Sequence, residues 1–301
     1  MWLLMLLGCR QDGTFVKVVI EGGPCALTST GRVACSDRDV GEEDTLHWVD
    51  IPVANDLSAE TETICAAGNS GVRCFSQEPG KLPDWAPHIP GKYTNISMSW
   101  ADMCTLDKDG AVECFGQHHL VLSGGPYVEL GTYYSTCGLT NLGGVECVSP
   151  PDLTNPELTG TYDHLTNVDG TLVCALSDGA PDCWPKDGDY YVEPPEGVTF
   201  TDLHLGDGVI CGVKTGGELL CWQYEGDDCR AAGGEVCPDE VIENVPTGTF
   251  SQVWANDDRA CAVDTDGCVT CWPGDWGWGA GKRICTDQVE PPIKGGGTDP
   301  G

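Results

Sequence analysis

Apolar and polar positions alternate with a period of two over short runs. Turns rich in Gly, Pro and Asp interrupt them, and almost no stretch carries helical periodicity. The sharpest run is CTLDKDGAVEC, residues 104–114, in which Cys104 and Leu106 mirror Cys114 and Val112 about Lys108-Asp109-Gly110. This pattern predicts an antiparallel hairpin with a three-residue loop. The third loop position is left-handed, a conformation that glycine adopts most easily. Variants occupy 25–35, 65–74, 137–147, 174–183, 211–221 and 261–271. Counting outward from the closing pair puts both cysteines of each copy on a non-hydrogen-bonded pair, within reach of a disulfide. Two copies are one residue shorter and keep this parity only with two-residue turns, Asp178-Gly179 and the weaker Asn69-Ser70.

Six copies are preceded by an aromatic residue with an aliphatic one three places on: Phe15/Val18, Tyr93/Ile96, Tyr127/Leu130, Tyr162/Leu165, Phe200/Leu203 and Phe250/Val253. In the second copy Ala54 stands before Leu57. Short Pro-containing strands such as HWVDIP (47–52) and VIENVP (241–246) come just ahead. First cysteines lie 40, 39, 33, 37, 37 and 50 residues apart, a period that belongs to solenoids or propellers. Four short strands per period, seven times over, predict an all-β fold: a seven-bladed β-propeller that buries sheet faces between neighbouring blades. The propeller is assigned to residues 10–294, with an insertion at 223–244 and a flexible tail at 295–301. The first copy has no Pro-containing strand before it, whereas TDQVEPPIKGG (286–296) has no hairpin after it. Residues 286–293 are therefore expected to complete the first blade and close the ring.

The hairpins predict the disulfides Cys25–Cys35, Cys65–Cys74, Cys104–Cys114, Cys137–Cys147, Cys174–Cys183, Cys211–Cys221 and Cys261–Cys271. Cys229 and Cys237 are left to pair within the insertion. Cys268 faces away from Cys261 and Cys271 and pairs with Cys285. Nineteen cysteines used in this way indicate an oxidising compartment. The last of them, Cys9, ends the apolar run MWLLMLLGC, which is similar to the lipobox of bacterial lipoprotein signal peptides. That likeness assigns residues 1–9 to the signal and implies cleavage behind Gly8 and lipidation of Cys9. The mature chain would then be secreted and held at the bacterial outer membrane or cell surface by lipid alone. The 301 residues include 15 Lys+Arg against 47 Asp+Glu, a net charge of −32, which argues against nucleic acid as a partner.

The segments CALSDG, CTLDKDGAVECFG and CAVDTDGCVTCWPG resemble bacterial repeats of the regulator-of-chromosome-condensation type, in the branch of β-lactamase inhibitor protein II. The resemblance spans about residues 10–294. It implies a propeller that engages protein through one face of the ring, and it carries no contact residue over to this chain. The family name alone would suggest guanine-nucleotide exchange on a small GTPase, which an exported, acidic, disulfide-rich chain argues against.

Candidate chemistry is sparse. The Asp-x-Asp-Gly stretches at 107–110 and 264–267 read as turns and not as calcium loops. His47, His88, His118, His119, His164 and His204 have no metal-ligand spacing and read as solvated or packing residues. No metal or cofactor set is expected. Trp276, Trp278, Tyr133, Tyr134, Tyr190 and Tyr191 are candidates for an exposed aromatic binding surface. The expected function is a monomeric, non-enzymatic scaffold for protein or glycan. The alternative, an extracellular enzyme acting on polysaccharide, requires carboxylates converging in the central channel.

Overall fold

The computed structural model describes residues 12–21, 23–36, 45–60, 63–76, 88–99, 102–117, 121–132, 135–149, 158–169, 172–185, 193–206, 208–223, 239–256, 259–273 and 281–291. They form seven antiparallel sheets, called I to VII here in chain order. Each opens with an inner strand: Phe15–Glu21, Ala54–Glu60, Tyr93–Met98, Tyr127–Thr132, His164–Asp169, Phe200–Leu205 and Phe250–Ala255. Two further strands form the cysteine hairpin, for instance Asp102–Asp107 and Val112–Gly116 in III.

The hairpins have the predicted parity. Leu106 pairs with Val112, and Cys104 stands opposite Cys114. The same cross-strand register holds for the other six cysteine pairs. Bonded cysteines in these hairpins have Cα atoms 4.0–4.1 Å apart. Cys268 and Cys285 are bonded as well, whereas Cys229 and Cys237 lie outside the described residues.

Sheets meet through apolar clusters, one between each consecutive pair from I to VII. A further cluster joins VII to I through Phe15, Val18, Val263 and Val269. In most clusters the inner-strand aromatic packs on the hairpin of the sheet before it. Tyr127 meets Cys104 and Leu106, and Phe200 meets Cys174 and Leu176. The disulfide thus staples one hairpin and forms part of the wall for the next sheet.

Hairpin glycines add a polar joint. The Gly110 carbonyl accepts from Tyr127 N–H at 3.0 Å, Gly179 from Phe200 at 2.8 Å and Gly217 from Phe250 at 2.8 Å. Gly267 accepts from Phe15 at 3.0 Å, so the same joint links VII to I. Inner strands touch in sequence from I to VII, and the inner strand of VII touches that of I.

Several features depart from expectation. Among the described residues only I and VII have the fourth strand expected of every sheet, and the other five have three. Leu46–Trp48, within HWVDIP, pairs with Val33–Ser36, so the Pro-containing strand belongs to the sheet before it and not to the one after. Sheet I therefore has its own fourth strand, and VII has Arg283–Ile284. The segment after Cys285 fills no gap. It turns through a 3₁₀ helix, Thr286–Gln288, and Glu290 bonds to the edge of I, with Glu290 N–H to Leu46 O at 2.8 Å and Trp48 N–H to Glu290 O at 3.1 Å. VIENVP is not a strand: residues 241–243 belong to a short helix, Asp239–Glu243, whose Val241 is fully buried and accepts from the Trp272 indole N–H at 2.9 Å.

Candidate functional site

Two strand residues three places apart face opposite sides. An aromatic and an aliphatic at that spacing can share a core only if one residue is inserted between them. The inner strands contain that insertion. Register shifts between Phe15 and Lys17 in I, and at the equivalent step in II, III, IV, VI and VII. The bulge turns the residue two places after the aromatic position away from the inter-sheet cores.

Those two places on are Lys17, Asp56, Asn95, Glu129, His164, Asp202 and Gln252, one per sheet, and all line a single cavity of about 310 Å³. Ser58, Ser97, Thr166, His204 and Trp254 line it from four places on. The pocket thus lies where the seven inner strands meet.

Its side chains bond from sheet to sheet. Asp56 Oδ2 accepts Ile96 N–H at 3.0 Å and Asn95 Nδ2 at 2.6 Å, while Oδ1 meets Lys17 Nζ at 2.6 Å. Glu129 Oε2 accepts Leu165 N–H at 2.6 Å, and Oε1 lies 2.8 Å from His164 Nδ1. Asp202 Oδ2 accepts Val253 N–H at 2.7 Å, and Oδ1 lies 3.5 Å from His164 Nε2. Gln252 Oε1 accepts Val18 N–H at 2.9 Å, tying VII to I. At the other level Ser58 Oγ accepts Met98 N–H at 3.1 Å and His204 Nδ1 accepts Ala255 N–H at 3.2 Å.

The two histidines are in opposite states. Both nitrogens of His164 face carboxylates, so both carry protons. Burial opposes that charge, but the hydrogen bonds and charges of Asp202 and Glu129 outweigh it and push the ring up to about 10. Burial drives His204 down to about 3, so it is neutral at physiological pH. Its ring lies 3.8 Å from that of Trp254. Among the described residues, His204 Nε2 and Asn95 Oδ1 are buried atoms without a hydrogen-bond partner.

Asp56, Glu129 and Asp202 do converge on the pocket, as the enzyme alternative requires. Each has both oxygens engaged, one of them on a backbone N–H of the next sheet. They act as inter-sheet joints, and none stands as a free general acid or base. The Asp-x-Asp-Gly stretches are turns: Asp107 Oδ1 accepts Asp109 and Ala111 N–H at 2.8 and 2.9 Å, and Asp264 Oδ1 does the same for Asp266 and Cys268 at 2.9 and 3.0 Å. Among the described residues no group of three His, Cys, Asp or Glu is placed to hold a metal ion.

His164 departs from the sequence reading, since it is neither solvated nor simply packed but a bridging cation. Cys9, Trp276, Trp278, Tyr133, Tyr134, Tyr190 and Tyr191 lie outside the described residues. The pocket itself was missed. Its signal is the column just before the aliphatic residue, which is polar in all seven copies.

No protein-family model and no curated protein matches the chain. Solved structures do. The chain is 17% identical to the CRINKLY WD40 ectodomain of the Arabidopsis thaliana receptor kinase ACR4, with a TM-score of 0.62 over 90% of this chain and 98% of that one. The entire ectodomain of the Physcomitrella patens receptor kinase CR4 gives 19% identity and 0.62 over 89% and 74%. YCF48 bound to D1 peptide gives 13% and 0.52 over 86% and 92%. The chain is a β-propeller. At these identities the likeness carries the fold alone, so the roles of the propeller's pocket residues rest on their own geometry.

Proposed function

We propose that this propeller is an exported, non-enzymatic scaffold that engages a protein partner through one end of the ring. The observation that carries the reading is the engagement of every carboxylate in the axial pocket. Groups that might have been catalytic instead hold neighbouring sheets together, which leaves a stiff frame for surface loops. Rigid scaffolds that position variable loops are a common way to build a binding surface.

Connectivity favours one end. Thr132, Trp184, Gln223 and Trp272 are the strand ends from which the Tyr133-Tyr134, Tyr190-Tyr191, insertion and Trp276/Trp278 segments depart. All four lie at the end of their sheets away from the hairpin turns. YCF48, of similar fold, has been captured with a peptide. The reading includes a closed ring clasped by the segment after Cys285, repeats of the chromosome-condensation type, a Cys229–Cys237 staple, and a monomer anchored at the bacterial surface through lipidated Cys9. Sixteen half-cystines bonded within the described residues support export.

Capture of surface proteins and glycans on the mature chain tests this. A protein ligand is expected, with loss of capture in Trp276→Ala/Trp278→Ala. Robust polysaccharide hydrolysis by the same preparation would overturn the scaffold reading. Non-reducing peptide mapping checks the staples, and mass spectrometry checks Cys9.

A further inference from the structure

The axial pocket has an unbalanced set of charges and hydrogen-bonding groups. Lys17 answers Asp56, but Glu129 and Asp202 share the single cation His164. Three carboxylates thus face two cations. In the sheet between Asp56 and Glu129, Asn95 Oδ1 is an acceptor with no donor among the described residues. The surplus is therefore of acceptors and negative charge. A guanidinium or ammonium group, all donors and positively charged, is its complement.

A second observation points to an occupant. His204 is 6% exposed and lines the same pocket, and its Nε2 has no partner. With Nδ1 accepting from Ala255, Nε2 carries the proton and lacks an acceptor. A peptide residue offers both halves, a cationic side chain for the carboxylates and Asn95, and a carbonyl oxygen for His204. Entry is open, because the Glu129 and His164 side chains each keep 27% of their exposure. A net charge of −32 steers basic partners towards the molecule.

We propose that the axial pocket seats one basic side chain, arginine or lysine, of the protein partner. This rests on the scaffold reading above.

Titration calorimetry on the full chain with Nα-acetyl-arginine amide, and with its uncharged analogue Nα-acetyl-citrulline amide, tests the proposal. The expected result is saturable binding of the arginine probe with a Kd of about 0.1–10 mM. The citrulline probe should bind about tenfold more weakly or worse. Asn95→Lys replaces the amide that donates to Asp56 with a cation in the pocket and should abolish arginine binding, with the melting temperature reporting that the variant is folded. Equal binding of both probes, no arginine binding by the folded chain, or undiminished binding by folded Asn95→Lys would each overturn the proposal. Partner capture that survives Asn95→Lys would also sink the pocket assignment and leave the scaffold reading standing. Hydrolytic activity would sink the scaffold reading itself.

Discussion

His164 and His204 line one pocket and pull the pH dependence of stability in opposite directions. His164 is held near 10, above its ordinary 6.5. Its contribution is complete below pH 6.5 and is lost as pH rises from there towards 10. His204 is held near 3, below 6.5, so its contribution is complete above that pH and is lost as pH falls towards 3. Together they predict a stability maximum near pH 6.5, with limbs of up to about 1.4 kcal/mol per pH unit. Urea denaturation across pH measures both. His164→Gln should flatten the alkaline limb and His204→Gln the acid one.

A second residue-scale pairing repeats through the chain. The hydroxyls of Tyr93, Tyr127 and Tyr162 donate to Glu113, Glu146 and Asp182, each the residue before a hairpin's second cysteine. Where the aromatic is Phe15, Phe200 or Phe250, that place is held by Ala34, Leu220 or Thr270. Burial, Glu146 and its hydrogen bond push Tyr127 up to about 12, as expected for a phenol donating to a carboxylate. Tyr162→Phe should cost about 1–2 kcal/mol. Adding Asp182→Leu, which copies the Phe200/Leu220 pair, should recover part of it, a coupling of about 1 kcal/mol in a double-mutant cycle. These columns are legible in the aligned copies. Which pocket side chains bond was not, because their partners lie in other repeats and the bulge reverses the parity.

Among elements, the hairpin was the most legible, since turn length, glycine position and cysteine parity all constrain one register. Its cost of failure is predictable. Cys104→Ala/Cys114→Ala should lower stability by about 2–3 kcal/mol, through the freed chain and the weakened wall behind Tyr127. Gly110 sits at φ +81°, and a Cβ there would come within 2.9 Å of both Tyr127 N and O. Gly110→Ala should therefore strain the turn and open the joint between III and IV, lowering the melting temperature by several degrees. The residues of the Pro-containing strand dictate its conformation but not its partner. Leu46–Trp48 reaches back to Val33–Ser36, although it lies closer in sequence to the inner strand that follows, Ala54–Glu60.

At the scale of the whole molecule, the junction between VII and I decides whether the sheets behave as an open row or a ring. An open row would leave one face of I and one of VII without a neighbour, and its ends would fray first. Here Phe15 N–H donates to Gly267, Val18 N–H to Gln252, and the Thr286 hydroxyl to the Gly13 carbonyl at 2.9 Å. Glu290 adds two backbone bonds to the edge of I. The proposed clasp acts on this junction. Deleting 286–301 removes the Thr286 and Glu290 bonds and spares the Cys268–Cys285 staple. The loss of about 1–3 kcal/mol should lower the melting temperature by roughly 2–5 °C. Gln252→Ala should cost less in the truncated chain than in the intact one, because a junction already parted has less to lose. Scanning calorimetry of the two single variants and the double reads this non-additivity. An unchanged melting temperature after truncation, or strictly additive losses, would show that the C-terminal segment does not hold the ring.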